Sequence, residues 1–322
     1  MSAGSPEVLE AIPLLEARGV LTPEKAGLFA RVARGELVSV RNELRLLLYL
    51  GVSLVAAGVG LLAKEGSLGP GAILGGLSAA AILCLVFVAR RAGPFTWGVA
   101  QDAHLGSDYM LLLGVLFFGA DLAYAESRFS VLGPSWPSHL LVVAVVALGL
   151  AIRYDSAPVF GLGLSTFAAW RGVSTSLGAT ASALVHDQGN LVRGNAVGCG
   201  VIFAILGPLL RGLDRKAHFG KVADHVGWLL ILGSLVSGLA SAGQTEDFAL
   251  ALILASGLLS FLAYKERRFS LFAMGVVGGY IGLSALFLEH APGIFTFQWF
   301  TITPFAVLVL LFLASRRLKE PQ

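Results

Sequence analysis

Tyr109–Glu126 reads YMLLLGVLFFGADLAYAE, an apolar run with a single carboxylate, Asp121, inside it. A helix needs about 20 mostly apolar residues to cross roughly 30 Å of hydrocarbon. Runs of this kind recur near 46–63, 72–89, 139–152, 157–175, 195–211, 225–242, 248–264, 270–288 and 298–315. The chain is 56% hydrophobic and 13% charged, with mean hydropathy +0.79. Soluble domains carry roughly a quarter charged residues, so this composition belongs to a bilayer protein. The expected fold class is all-α, a polytopic transmembrane helical bundle of about ten spans.

The basic residues orient the bundle. With the N-terminus in the cytoplasm, all but four of the 23 basic residues fall on the inner side, the exceptions being Lys64, Arg128, Arg171 and Arg193. The positive-inside rule then predicts an even number of spans with both termini cytoplasmic. Forty glycines suit helices that pack backbone to backbone in lipid. GxxxG spacings at Gly71–Gly75 and at the overlapping Gly275–Gly279 and Gly278–Gly282 pairs mark packing faces. Cys84 and Cys199 fall within spans and read as small apolar fillers, with no disulfide or metal site implied.

Residues 1–43 form a separate region, ahead of a membrane domain over 44–322. Their charge density is too high for a cleavable signal peptide. Thr22-Pro23-Glu24 reads as a helix start, Ala26, Phe29, Ala30 and Ala33 share one helical face, and Val8, Ile12 and Leu15 suggest a helix before it. A short cytosolic helical hairpin is expected, suited to docking or assembly with a protein partner. Nucleic acid is not the expected partner. Arg18, Lys25, Arg31, Arg34, Arg41 and Arg45 are balanced by Glu7, Glu10, Glu16, Glu24, Glu36 and Glu43, which leaves no basic footprint.

Arg153 followed by Phe160-Gly161-Leu162-Gly163 is echoed by Lys265 followed by Phe272-Ala273-Met274-Gly275. The echo suggests a parallel repeat of a three-helix unit, 109–175 and 225–288, and internal repeats are frequent in transporter folds. The inner loop 90–108 holds Asp102, His104 and Asp108, whose spacing matches no metal-ligand pattern. The basic loop 212–224 is read as an ordinary inner loop facing lipid headgroups.

Three stretches carry a family resemblance: Arg18–Ala26 (RGVLTPEKA), Leu113–Asp121 (LGVLFFGAD), and Leu148–Arg153 leading into Phe160–Trp170. Together, over residues 10 to 175, they resemble the bacterial membrane-protein family called domain of unknown function 2157. The resemblance implies a cytosolic helical pair, many spans and a bacterial inner (plasma) membrane location. It implies no activity, and Asp121 sits where that family's pattern would place an apolar residue.

Asp121 is also where chemistry is expected. From Tyr109 it lies roughly 18 Å into the membrane, and Arg171 lies roughly 21 Å in from Ala157, at 1.5 Å per residue. An unpaired charge at such depth costs at least about 2.5–3.5 kcal/mol, so an Asp121–Arg171 ion pair is expected. It reads either as part of a substrate or proton path or as a buried pin between two helices. Glu126, His186, Asp187, Glu289 and His290 crowd the outer side and sketch an acidic vestibule. No HExxH, Walker loop or paired-aspartate motif is present, and no enzyme, cofactor or metal is expected. The leading expectation is a transporter-like or permease-like protein for a small solute or ion. The alternative is a non-transporting scaffold or sensor that recruits a partner through its N-terminal hairpin.

Overall fold

A computed structural model describes residues 6–19, 21–33, 69–98, 105–178, 188–213, 216–241, 244–290 and 293–318, with isolated helical positions between 47 and 61. Regular structure among the described residues is helical, without strands. The chain divides into two compact units, Met1–Val59 and Gly60–Gln322.

In the first unit, α1 (Pro6–Ala17) and α2 (Pro23–Ala33) pack on each other. Gly19, at φ +70°, turns the chain after α1, and the Ala26 amide donates to the Thr22 carbonyl at 2.9 Å to open α2. Proline at the first helical position costs nothing, because that amide has no intrahelical partner in any case. Ile12 and Ala26 are the buried pair between the helices.

Among the described residues of the second unit there are nine α-helices: α3 (Pro70–Arg91), α4 (Leu105–Phe129), α5 (Ser138–Tyr154), α6 (Ala157–Gly178), α7 (Gln188–Gly212), α8 (Ala217–Gly238), α9 (Thr245–Lys265), α10 (Phe269–His290) and α11 (Gly293–Arg317). Sequence neighbours pair as α3 with α4, α5 with α6, α7 with α8 and α9 with α10. Contacts of α6 with α7 and α8, and of α8 with α9 and α10, join these pairs, and α11 rests on α10. One core gathers Leu111, Val115, Ala147, Val159, Phe160, Phe203 and Phe219, and a second gathers Leu232, Leu252, Leu259 and Leu271.

Seven of these helices are long and apolar enough to cross a membrane: α3, α4, α7, α8, α9, α10 and α11. Their outward faces are apolar as well, with Leu254 at 74% exposure and Phe297 at 76%. So much apolar surface would drive aggregation in water, and hydrocarbon removes the penalty. The chain therefore reads as a multi-pass membrane protein. The expected span 46–63 lies largely outside the described residues; those expected from 72 to 315 fall on α3 to α11. The fourth, α5, has only 17 residues.

Helix ends run past the hydropathy boundaries. The start of α4 is Leu105, not 109; that of α7 is Gln188, not 195; that of α8 is Ala217, not 225. The extra turns carry charged residues such as Lys221 and Asp224, which a hydropathy window excludes although they continue the helix. Loop 90–108 is accordingly shorter than expected: Asp108 sits in the first turn of α4, while Asp102 and His104 lie outside the described residues.

The helices share two chemically distinct ends. One collects Arg90, Arg91, Arg153, Arg211, Lys265 and Arg316; the other carries Glu126, Glu246, Asp247 and Glu289. At the basic end two corners match in detail. The Ser156 amide donates to the Ala151 carbonyl (3.1 Å) and the Phe160 amide to the Ser156 carbonyl (3.0 Å). The Arg268 amide donates likewise to Ala263 (2.8 Å) and the Phe272 amide to Arg268 (3.1 Å). Asp155 (φ 61°) and Arg267 (φ 54°) both take the left-handed conformation that reverses the chain. Gly163 lies against Leu148, and Gly275 against Ser260. Every one of these correspondences has the spacing of Ala151 to Ala263, the one seen between Phe160 and Phe272 in the sequence.

Candidate functional site

Asp121 is half-buried on α4, and its Oδ2 accepts a hydrogen bond of 2.6 Å from Ser78 Oγ on α3. Its Oδ1 is buried with no hydrogen-bond partner among the described residues. Ser78, on the neighbouring helix, is the hydrogen-bond partner of Asp121 seen among the described residues. Arg171 is exposed on α6. Matching depth along two helices does not fix the azimuth at which each side chain leaves its axis, so depth alone could not pair them. Of the vestibule residues, Glu126 Oε2 accepts from the Leu132 amide (2.9 Å) and caps the turn after α4. His290 Nε2 lies 3.3 Å from Glu246 Oε1, joining the end of α10 to the start of α9, and Glu289 is exposed beside it. His186 and Asp187 lie outside the described residues.

The glycine readings divide. A Cβ at Gly275 would lie 2.9 Å from the Ser256 carbonyl, one at Gly278 2.6 Å from Ser256 Oγ, and one at Gly282 2.9 Å from Ile253 Cγ1. These three let α9 and α10 touch along their length, and Gly279 makes an ordinary 3.6 Å contact. Among the described residues, no neighbour comes within 4 Å of a Cβ at Gly71 or Gly75. A tighter crossing joins α7 to α8: a Cβ at Gly200 would meet the Gly227 carbonyl at 2.7 Å, and one at Gly220 the Gly207 carbonyl at 2.6 Å. Its signature is glycine at a seven-residue interval on each helix (Gly200 and Gly207; Gly220 and Gly227), which a search for GxxxG passes over.

That crossing positions two buried ion clusters at the basic end, both in the stretch read from the sequence as an ordinary inner loop. Gly207 makes room for the Asp224 carboxylate, whose Oδ2 accepts from Arg211 Nη1 of α7 and from Arg268 Nη1 at the start of α10. The Asp224 side chain is 4% exposed, and Glu266 adds weaker contacts at 3.4 Å to Arg268 and 3.7 Å to Arg211. In the second cluster Lys216 Nζ donates to Asp155 Oδ1 at 2.7 Å, with both side chains at most 5% exposed. His218 Nε2 lies 3.2 Å from the same oxygen, and the Lys216 amide donates to the Trp97 carbonyl at 2.9 Å. Both clusters pair their buried charges, which makes them structural pins between helices at this end of the bundle.

Where α7, α8 and the start of α9 meet, a cleft of about 440 Å³ is lined by Asn190, Arg193, Val197, Leu235, Gln244, Asp247 and Phe248, among others. Arg193 holds its position through Ser237 Oγ (from Nε, 3.3 Å), the Ser237 carbonyl (from Nη2, 3.3 Å) and Asn190 Oδ1 (from Nη1, 3.1 Å). Its guanidinium lies 5.4 Å from the centroid of the Phe248 ring. The sequence marked Arg193 only as an outer basic residue, because the groups that single it out arrive on three different helices. A second groove of about 390 Å³ between α6, α7 and α8, lined by Ser165, Ala168, Ala169, Gly172, Val192, Ala196 and Leu230, bears no charge.

Compared with family models, curated proteins and solved structures, the chain matches none.

Proposed function

We propose that this chain is a polytopic protein of a bacterial inner membrane, transporter-like or permease-like, and not an enzyme, that takes a small solute or ion. The cleft beside Arg193 carries the reading. Its volume of about 440 Å³ lies in the range of small-molecule sites, roughly 300–1,000 Å³, and it combines an apolar floor with a few convergent polar groups. Asp224 ties α7, α8 and α10 together at the basic end, and the cleft lies toward the other. Helices pinned at one end with a cleft at the other are compatible with one state of an alternating-access protein.

In this reading the basic end faces the cytoplasm, by the positive-inside rule. The chain crosses the membrane about ten times, with α1 and α2 as a cytosolic hairpin and both termini inside. The matching corners at Asp155 and Arg267 belong to a parallel repeat of 109–175 and 225–288. The resemblance to domain of unknown function 2157 supports the bacterial location.

The test is osmotic. Proteoliposomes shrunk by an impermeant osmolyte are given a panel of small solutes, and re-swelling is followed by light scattering. One solute class should restore volume only when the protein is present; no protein-dependent flux for any solute would reject transport. A scaffold or sensor is the second reading, favoured by the exposure of Leu14 (63%) and Phe29 (48%) on the first unit, an apolar surface suited to a protein partner. It expects that removing residues 1–43 abolishes co-purification of that partner while the membrane domain stays folded.

A further inference from the structure

Arg193 differs from the other partly buried guanidiniums of the bundle. Arg211 and Arg268 each close directly on the Asp224 carboxylate. Arg193 is held by a hydroxyl, a backbone carbonyl and an amide oxygen, so its charge is fixed in place without a paired anion among the described residues. Asn190 is steadied in turn by Gln244 Oε1 (3.5 Å), which makes this a built site with a second layer of support. Three of the guanidinium's five N–H donors are used, and two remain for a ligand. The dipole of α7 gives no help to a cation so near its N-terminal end.

Asp247 lines the same cleft from the first turn of α9. It forms neither an ion pair nor a hydrogen bond among the described residues, and in particular it does not close on Arg193. The cleft therefore presents one cation and one anion that do not neutralise each other by contact. Val197, Leu235 and the Phe248 ring supply apolar wall around them. A purely anionic solute would satisfy Arg193 and be repelled by Asp247; a purely cationic one would meet the reverse. A molecule carrying both charges meets an opposite charge for each of them within the one cleft.

We propose that the cleft binds a small zwitterion of the α-amino-acid class, its carboxylate on Arg193, its ammonium on Asp247 and its side chain against Val197, Leu235 and Phe248. This rests on the reading of the cleft as the outer entrance of a transport path, and it specifies what enters. The fork of Arg193 suits a carboxylate, which it can bind through two parallel hydrogen bonds.

The test uses the full chain purified in detergent, with thermal unfolding recorded against each standard L-amino acid singly. At least one with an apolar side chain raises the midpoint, since a ligand that binds only the folded state stabilises it by mass action. The α-hydroxy acid and the primary amine with that same side chain, which keep one charge each, raise it far less. Arg193→Gln weakens binding about tenfold or more, as expected for loss of a charge-assisted hydrogen bond, and Arg193→Lys weakens it less. Asp247→Asn, on an exposed side chain that makes no structural contact, abolishes the preference for the amino acid over its hydroxy analogue. Three results overturn the proposal: no amino acid stabilises the protein, the hydroxy acid works as well as the amino acid in the wild type, or only phosphatidylethanolamine, which carries the same two charges on a lipid headgroup, has an effect. Counterflow in proteoliposomes separates the two claims. An amino acid that binds but does not cross leaves this site standing and removes the transport reading; flux of some other solute unaffected by Arg193→Gln does the opposite.

Discussion

Replacing Asp224 by asparagine keeps its shape and removes its charge, leaving the Arg211 and Arg268 guanidiniums facing each other across a neutral amide. Both now converge on the Asp224 Oδ2 atom, and their side chains are 30% and 12% exposed against 4% for the aspartate. Removing one partner of a buried ion pair typically costs about 3–5 kcal/mol, because an uncompensated charge is left behind. Glu266 stays within 3.4 Å of Arg268 and 3.7 Å of Arg211, but it is 47% exposed and screened by water. The expected loss for Asp224→Asn is therefore about 3 kcal/mol, at the lower end of that range. Reversible unfolding in mixed micelles of detergent and dodecyl sulfate measures it. Arg268→Gln in the Asp224→Asn background should restore part of the loss by removing one of two like charges, with a coupling of about 1 kcal/mol or more. A loss below about 1 kcal/mol for Asp224→Asn, or strict additivity with Arg268→Gln, would refute the view that this carboxylate pins three helices.

Other outcomes follow from the same contacts. Ser78→Ala removes the hydrogen bond to the Asp121 carboxylate, expected to cost about 1.5–3 kcal/mol, and its effect should vanish in an Asp121→Ala background. Asp121→Asn and Arg171→Gln, by contrast, should add within about 0.5 kcal/mol, and a larger coupling in their double-mutant cycle would place the two in contact after all. Gly227→Ala would set a methyl group 2.7 Å from the Ala204 amide and the Gly200 carbonyl, backbone atoms that cannot turn aside. Its expected cost is about 1–3 kcal/mol, whereas Gly75→Ala, with open space among the described residues, should be near neutral or slightly stabilising in the same unfolding assay. Lys216→Met removes the 2.7 Å cationic partner of the buried Asp155 carboxylate and should cost about 3–5 kcal/mol. A melting curve that matches wild type would show that the lysine is dispensable there.

Particular residues show where sequence reading stopped. Asp121 was conspicuous as the one carboxylate in an apolar run, and it does sit half-buried. Its partner was not readable, because Ser78 lies 43 residues away and polar residues of that size are common in membrane helices. Lys216 and Asp224 were taken for ordinary loop and headgroup chemistry, since a hydropathy window lets a charge end a helix. Asp224 instead lies within α8 and Lys216 caps its start, and both charges are buried against partners from elsewhere in the bundle. GxxxG at Gly275–Gly279 and Gly278–Gly282 coincides with a close approach, while no described residue comes within 4 Å of a Cβ at Gly71 or Gly75. A spacing shows that a small face exists and not that a neighbour lies against it.

By itself, the sequence determined the all-helical class, the membrane character and the crowding of basic residues at one end of the bundle. These properties are carried along the chain, by the length of apolar runs and the positions of charges between them. Only the tertiary structure decided which polar groups meet: Asp121 with Ser78, Asp155 with Lys216, Asp224 with two arginines, and Arg193 with no carboxylate among the described residues, although Asp247 lines the same cleft. Contact depends on the rotation of each helix about its own axis and on which helices pack side by side. Both are set by the summed fit of glycines and side chains over whole interfaces, which no single stretch of the chain contains.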